Sequence, residues 1–211
     1  MLHIQRFVFS MFGVNTYLLT DQATGQAAVI DPAMSTPDER KAFDQALGNS
    51  RLTQILNTHL HLDHCFGLNY VKTKYGIPAK AHAGDAPLGE NMPGQYRRFG
   101  LNGDGTAVSI DVPLADGDTI AIGDSQLTAI HVPGHSPGGL ALYYKEGNAL
   151  FSGDTLFHRS IGRTDLVGGD HAQLVRSIRE RLFTLPGDTL VLPGHGDPTT
   201  IADEQHFNQY V

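Results

Sequence analysis

The feature that most limits how this chain can fold is a short run of ligand-type side chains, Thr58-His59-Leu60-His61-Leu62-Asp63-His64. In extended backbone, the two-residue spacing of His59 and His61 places both imidazoles on one face, with the leucines opposite. Asp63 and His64 are predicted to begin a helix, because the apolar residues that follow them recur at spacings of three and four. Ligand groups that leave the backbone in different directions can serve two metal ions, so the run indicates a metal site.

Composition excludes several other classes of function. The 211 residues are 40% hydrophobic and 18% charged, which suits one domain over residues 1–211 with a substantial core. A net charge of −7 without any run of like charge gives no basic field for nucleic acid. The first residues mix polar with apolar side chains and contain no apolar run of about 18 residues. We therefore expect a cytoplasmic protein with neither a nucleic-acid nor a membrane partner; composition leaves the oligomeric state open.

The single cysteine, Cys65, excludes an internal disulfide framework and fits a reducing compartment. Because Cys65 stands beside His64, it is a candidate metal ligand or reactive thiol. A small packing residue at a helix start is the interpretation that we favour.

Apolar patterning predicts many short strands and few helices. We expect helices that begin at a Thr36 cap and end at Gly48, that begin at an Asp170 cap, and that run onward from Ala202. Residues 83–113 are rich in glycine, and we expect a long loop there with one short helix. Because each half of the chain has strands first and a helix later, two similar β-rich halves are predicted. The predicted strands are 3–9, 15–19, 27–30, 54–57, 76–82, 119–122, 126–132, 140–144, 149–152 and 190–192.

Three later loops share one design, in which an apolar strand ends in a glycine turn that carries a ligand-type residue. These residues are His135 and His195, each after Pro-Gly, and Asp154, after Ser-Gly. Glycine lets the backbone turn sharply, so that the next side chain can point across the strand ends. One Pro-Gly-His is usually a turn with a solvated histidine. The recurrence of the design, together with the first run, predicts that these side chains complete the metal site.

The order of these motifs resembles the metallo-β-lactamase superfamily over essentially the whole chain. Residues 150–157 (Leu-Phe-Ser-Gly-Asp-Thr-Leu-Phe) resemble its glyoxalase II branch, the hydroxyacylglutathione hydrolases. Residues 161–165 and 168–170 resemble the short, single-domain bacterial members of that branch. The resemblance implies an α/β fold, a four-layer αββα sandwich with the metal site at one edge.

The resemblance also implies the ligands. One metal is held by His59, His61 and His135, a second by Asp63, His64 and His195, and Asp154 bridges the two. Such a nitrogen and oxygen donor set suits two Zn²⁺ ions, and Fe or Mn as well.

This chemistry favours the hydrolysis of a small-molecule thioester. Two cations lower the pKa of a bridging water toward about 7, so that a bridging hydroxide is available for attack, and Asp63 would orient it as a catalytic residue. A thiolate leaving group, with a pKa of about 8.5, needs little general acid, and the sequence offers no obvious one. A carboxylate at Asp154, where true β-lactamases often carry cysteine, argues against lactam hydrolysis. We expect a hydroxyacyl-thioester such as S-lactoylglutathione as the substrate.

The chain departs from the long glyoxalase II enzymes, whose C-terminal helical domain grips glutathione with basic residues. The chain ends at Val211, soon after His195, and we expect that domain to be absent. Their Gly-Lys-Phe-Tyr segment aligns with residues 162–165, where Arg163 keeps the charge and the tyrosine is missing. Arg163 either binds a substrate carboxylate or pairs with Asp165.

Other interpretations stay open. In a mononuclear iron persulfide dioxygenase, His59, His135 and Asp154 would form a two-histidine-one-carboxylate triad. A lactone or phosphodiester hydrolase and a non-enzymatic descendant of the fold are further alternatives. Arg97 and Arg98 either contact substrate as part of a lid or form a solvated pair. The remaining histidines have no partner at a suitable spacing and are interpreted as surface or packing residues: His3, His82, His131, His158, His171 and His206.

Overall fold

The central strands carry apolar side chains on both faces, so each sheet that they form must be covered on both sides. A computed structural model, which describes residues 1–103 and 105–211, shows how this is achieved. Val29 and its neighbour Ile30 lie in different hydrophobic clusters, and so do Leu150 and Phe151. This alternation assigns each strand one face toward the other sheet and one face toward helices.

The N-terminal sheet has six strands in sequential order. The first three are antiparallel neighbours and the last three join in parallel. The strands are β1 (Leu2–Phe9), β2 (Val14–Asp21), β3 (Gln26–Ile30), β4 (Arg51–Leu56), β5 (Ala79–His82) and β6 (Val112–Leu114); the helices in this half are α1 (Pro37–Leu47), α2 (Leu68–Tyr75), α3 (Ala86–Glu90) and α4 (Met92–Arg98).

The C-terminal sheet also has six strands, in the order β14-β13-β10-β9-β8-β7. Only the β10–β13 pair is parallel. The elements are β7 (Thr119–Ile122), β8 (Ser125–His131), β9 (Leu140–Tyr144), β10 (Ala149–Gly153), β11 (Leu156–Phe157), β12 (Ser160–Ile161), α5 (His171–Ser177), β13 (Leu190–Pro193), β14 (Thr199–Thr200) and α6 (Ile201–Phe207); β11 and β12 form a separate hairpin, and a π-helical turn (Ile178–Leu182) extends α5.

Three hydrophobic clusters separate four layers. One lies between α1 to α4 and the N-terminal sheet, one between the two sheets, and one between the C-terminal sheet and α5 and α6. The predicted αββα sandwich is therefore confirmed. Within the described part of the chain, no helix is long and apolar enough to cross a membrane.

The helix ends that were predicted from caps are confirmed. Thr36 caps α1 and forms a reciprocal capping box with Glu39, while Gly48 ends the helix. The Asp170 side chain accepts a hydrogen bond from Gln173 N at the start of α5. The C-terminal helix α6 begins one residue before its predicted position.

The prediction of one long loop at 83–113 was wrong. This stretch contains a short helical turn, the two helices α3 and α4, and the edge strand β6; residue 104 lies outside the described residues. Pro87 and Pro93 stand in the first turns of α3 and α4, where proline is tolerated because the first amide groups of a helix have no intrahelical acceptor. The prolines that suggested a loop therefore mark helix starts.

The pH dependence of the free energy of unfolding tests the role of Glu39 in the capping box. Burial acts to raise the pKa of Glu39, but hydrogen bonds from Ser10, Thr36 and Ser35 outweigh it and hold the pKa below its ordinary value. A lowered folded-state pKa stabilises the protein above the ordinary pKa, and this contribution is lost as the pH falls through the folded-state value. We expect Glu39→Gln to lower the free energy of unfolding by about 1 kcal/mol at pH 7 and by much less near pH 3.

Urea unfolding of both proteins in the presence of a chelator, at the two pH values, measures this difference. Asp38→Asn is the matched control, because Asp38 is an exposed carboxylate in the same helical turn. A difference between wild type and Glu39→Gln that does not change with pH would contradict the assignment.

Candidate metal centre

The seven predicted ligand side chains meet at one edge of the sandwich. They come from the four loops that directly follow β4, β8, β10 and β13. Several contacts join the sheets at this edge; among them, Val14 pairs with His195 in a β-bridge, and Asn15 N donates to Gly194 O at 2.7 Å. Residues from distant parts of the sequence therefore share one small volume.

His59, His61 and His135 form the first cluster. Their ligand nitrogens lie within 4.8 Å of one another, and all three side chains are buried. Burial, with a smaller contribution from His135, lowers the pKa of His61 to about 3, and burial and His64 hold the pKa of His59 well below its ordinary value. His59 and His61 are therefore neutral at pH 7, which is the form that can bind a metal ion.

Asp63, His64 and His195 form the second cluster, again within 4.8 Å. His195 Nε2 lies 3.4 Å from Asp63 Oδ2 and 3.3 Å from His64 Nε2. Burial acts to lower the pKa of His64, but the carboxylates of Asp154, Asp31 and Asp63 outweigh it and raise that pKa well above its ordinary value. This half of the site therefore favours positive charge.

Asp154 lies between the two clusters. Its Oδ2 is 3.6 Å from His135 Nε2 and 3.5 Å from His195 Nε2, and its Oδ1 is 3.3 Å from His64 Nε2. Burial acts to raise the pKa of Asp154, but the nearby histidines, His64 above all, hold it well below its ordinary value. One ionised carboxylate thus contacts both groups of side chains.

The glycines of these loops are needed for the geometry. A Cβ on Gly194 would lie 2.2 Å from Asp154 Oδ1 and 2.8 Å from His64 Cε1. Gly134 has a φ of +135°, and a Cβ there would lie 2.3 Å from Leu174 N. The predicted role of glycine as a sharp turn holds at Gly134, whereas Gly194 provides space for two ligand-type side chains.

Three buried polar atoms without a hydrogen-bond partner bear on whether the residues of the site suit a metal ion. His59 Nε2, His61 Nε2 and Asp154 Oδ1 have no hydrogen-bond partner among the described residues. Buried polar atoms are seldom left unpaired, because each loses its interaction with water. Nitrogen and oxygen donors in this number suit Zn²⁺, Fe or Mn. The residues present therefore fit divalent metal ions.

The second ring nitrogen of four histidines contacts a neighbouring oxygen, which fixes the orientation of each ring. His135 Nδ1 donates to the backbone carbonyl of Arg163 at 2.7 Å. The other pairs are His59 with Thr58 Oγ1 (3.1 Å), His64 with Asp31 Oδ2 (3.0 Å) and His195 with Phe12 O (3.2 Å).

Asp31 is a functional residue that the sequence analysis missed, because it was interpreted only as the end of a strand. It is buried, has a φ of +50°, and its Oδ2 contacts His64. Its carboxylate also accepts hydrogen bonds at 2.7 Å from both the amide and the hydroxyl of Thr58. The ligand atoms of Asp31, His59 and His64 also lie within 4.8 Å of one another. The hydrogen bonds of both carboxylate oxygens show that Asp31 positions Thr58 and His64 within the site.

Asp85 was also missed, since it lies in the stretch that was predicted to be a loop. It is fully buried, and its carboxylate accepts from Leu60 N at 3.0 Å, Ser136 Oγ at 2.9 Å and Gly138 N at 2.6 Å. Leu60 stands between two histidines of the first cluster, and Ser136 follows the third. One carboxylate therefore fixes the distance between the two loops that form this cluster.

A cavity of about 380 Å³ opens over both clusters. Arg163 lines it, and its guanidinium forms two 2.7 Å hydrogen bonds with the Asp165 carboxylate. The expected pairing with Asp165 is therefore present, while a contact between Arg163 and substrate stays a prediction. The apolar side chains of the wall are Phe12, Leu62, Phe99, Phe157, Ile161 and Leu166.

Three other sequence interpretations can be compared with the structure. Cys65 lies in the hydrophobic cluster beside the N-terminal sheet, and burial holds the pKa of its thiol well above the ordinary value, as a packing residue requires. His82 and His131 were interpreted as surface or packing residues, and their rings stack on each other at 4.0 Å. That contact joins residues far apart in the sequence, so spacing did not reveal it.

Two sheets between helical layers, with histidine and aspartate clusters at one edge, define the class of metal-dependent hydrolases with an αββα sandwich. The family described as the metallo-beta-lactamase superfamily matches residues 10–195. The chain belongs to the metallo-beta-lactamase superfamily.

Two curated relatives align over most of their length. The probable metallo-hydrolase YqgX of Bacillus subtilis is 36% identical over 92% of this chain and 90% of its own length. The hydroxyacylglutathione hydrolase GloC of Haemophilus influenzae is 31% identical over 100% of this chain and 98% of its own length.

Solved structures show the same fold. The B3 metallo-beta-lactamase BLEG-1 has a TM-score of 0.89 at 33% identity, covering 99% of both chains. TTHA1623 in a di-iron-bound form has a TM-score of 0.87 at 34% identity, covering 98% of this chain and 100% of its own. ETHE1 from Myxococcus xanthus has a TM-score of 0.80 at 29% identity, covering 98% of this chain and 83% of its own.

The role of Asp85 can be tested by metal binding. We expect Asp85→Ala to weaken the affinity for divalent ions by about tenfold or more, because the loops of the first cluster lose their common acceptor. Asp85→Asn should have a smaller effect, since its amide keeps one acceptor oxygen. Competition with a chromogenic chelator measures the affinity, and circular dichroism checks that the variants are folded.

Asp124→Ala is the control, because Asp124 is exposed and its side chain has no hydrogen bond among the described residues. An Asp85→Ala variant that is folded and binds metal as tightly as wild type would show that Asp85 has no positioning role.

Proposed function

We propose that this protein hydrolyses a hydroxyacyl-thioester, such as S-lactoylglutathione, at a binuclear zinc site. The observation that carries the proposal is the position of Asp154, whose carboxylate contacts both clusters. In this proposal His59, His61 and His135 hold one ion, and Asp63, His64 and His195 hold the other. Residues 1–211 act as one domain.

When bound, a pair of such ions supplies a water of lowered pKa and polarises the substrate carbonyl. Asp63 is half-buried and lines the cavity. Burial acts to raise its pKa, but His64 and His195 outweigh this effect and hold the pKa below its ordinary value. Asp63 is therefore an ionised acceptor at pH 7, able to orient the attacking water by accepting its hydrogen bond.

The cavity walls favour a leaving group that needs no proton donor. Among the described residues, its titratable side chains are Arg163, Asp154 and members of the two clusters. Water adds to the thioester carbonyl, the C–S bond breaks, and sulfur leaves with the electron pair as a thiolate of pKa about 8.5. The products are a hydroxy acid and a thiol. An amide nitrogen would need protonation and fits this site less well.

The similarity to GloC, a hydroxyacylglutathione hydrolase, supports this choice of substrate. The similarity to ETHE1 is compatible with a second candidate, a persulfide dioxygenase with a single iron held by His59, His135 and Asp154. The similarity to BLEG-1, named a B3 metallo-beta-lactamase, makes a β-lactam the third substrate to compare.

Metal content and turnover should be measured on the same preparation. We expect two zinc ions per chain and hydrolysis of S-lactoylglutathione well above that of a chromogenic β-lactam. One iron per chain with oxygen uptake on glutathione persulfide would instead identify the dioxygenase. Faster hydrolysis of the lactam than of the thioester would overturn the proposal.

Asp154→Ala should remove both bound metal and activity, because it deletes the carboxylate shared by the two clusters. We expect a loss of more than about a hundredfold in kcat, together with reduced metal content by elemental analysis. Asp124→Ala again serves as the control. Full activity in Asp154→Ala would show that the mechanism is wrong.

A further inference from the structure

Two arginines at the end of α4 lie beside the active-site cavity, and the proposed reaction does not yet use them. Arg97 and Arg98 line a second cavity of about 460 Å³. Its wall shares His61, Phe99 and Leu166 with the wall of the first cavity. The two cavities are therefore adjacent, with the metal centre in the first and the arginines in the second, and together they are called the groove below.

The charge along this groove is unbalanced. Within the described part of the chain, the side chains of Arg97 and Arg98 have no hydrogen bond or ion pair, and the wall of the second cavity contains no carboxylate. Arg163, in the first cavity, is matched by Asp165. The lining of the two cavities therefore carries three guanidinium groups, and its two carboxylates, Asp63 and Asp154, lie among the histidines of the metal centre. Asp165 lines neither cavity; its pKa is lowered mainly by Arg163 and to a smaller extent by the charge of Arg98. The net charge of the whole protein is −7. A local excess of positive charge attracts anions.

The position of the arginines is fixed by a buried amide. Gln95, one turn earlier in α4, accepts a hydrogen bond from Leu62 N at 3.0 Å and donates to Leu60 O at 3.1 Å and Leu88 O at 2.9 Å. Leu60 and Leu62 alternate with the metal-site side chains of the same run. The helix that carries the arginines is therefore attached directly to the loop that carries the ligands.

We propose that Arg97 and Arg98 form a binding subsite for an anionic group on the thiol carrier of the substrate, a carboxylate or a phosphate. This inference rests on the proposed thioester hydrolysis and extends it. The scissile carbonyl lies at the metal centre, and the carrier runs past Phe99 and Leu166 to the arginines. The two arginines, rather than Arg163, provide the free positive charge, because the Arg163 guanidinium is occupied by Asp165.

Three thioesters with the same acyl group distinguish binding of a carboxylate from binding of a phosphate, with a neutral carrier for comparison. S-lactoylglutathione carries carboxylates, S-lactoyl-coenzyme A carries phosphates, and S-lactoyl-N-acetylcysteamine is neutral. We expect Arg97→Gln/Arg98→Gln to raise KM about tenfold for at least one anionic substrate, with kcat nearly unchanged. The neutral substrate should be unaffected, and the difference should shrink at high salt.

Arg176→Gln/Arg179→Gln is the matched control, because both arginines are exposed on the opposite side of the sandwich and the charge change is the same. An effect on glutathione alone supports carboxylate recognition, and an effect on coenzyme A alone supports phosphate recognition. Equal effects of the two double variants, or an equal effect on all three substrates, would overturn the subsite. Neither of these two outcomes would contradict the proposed thioester hydrolysis. If no thioester is turned over, the proposed function and the subsite fail together.

Discussion

Within residues 1–103 and 105–211, the ligand run after β4 is not paired as a strand in either sheet, so its backbone amide groups need acceptors from elsewhere. Side chains provide them in alternation: Asp31 accepts from Thr58 N, Asp85 from Leu60 N, and Gln95 from Leu62 N. Asp31 follows β3, Asp85 ends the helical turn before α3, and Gln95 lies in α4. The three acceptors therefore determine where the run lies, and with it the position of every metal-site side chain that it carries.

The same hydrogen bonds connect the site to both sheets. Asp31 follows β3 of the N-terminal sheet, while Asp85 also accepts from Ser136 and Gly138, in the loop between β8 and β9 of the C-terminal sheet. Leu140 N, in β9, donates to Thr58 O at 2.8 Å. The two halves of the protein cannot shift against each other without changing distances within the clusters. The packing between the two sheets therefore also determines the geometry at the metal centre.

The ligand-type residues could be identified from the sequence because their chemistry is specific and their spacing is regular. The strands were predictable because apolar residues fill both faces, and the layer order came from the resemblance that the motifs carry. Asp31, Asp85 and Gln95 were missed for a physical reason. Their roles depend on single contacts between residues far apart in the chain, such as Asp85 with Gly138, and an isolated polar residue gives no signal of its partner. The short helices α3 and α4 were missed because prolines and glycines obscure their periodicity.

The backbone and the side chain of Arg163 contribute to the site in separate ways. Its backbone carbonyl orients His135, whereas its side chain lies in the wall of the cavity beside Asp165. Since every amino acid has a carbonyl, a different side chain at this position leaves the histidine supported. A substitution at position 163 can therefore change the wall of the cavity while His135 keeps its acceptor, which gives this scaffold one route to new activities.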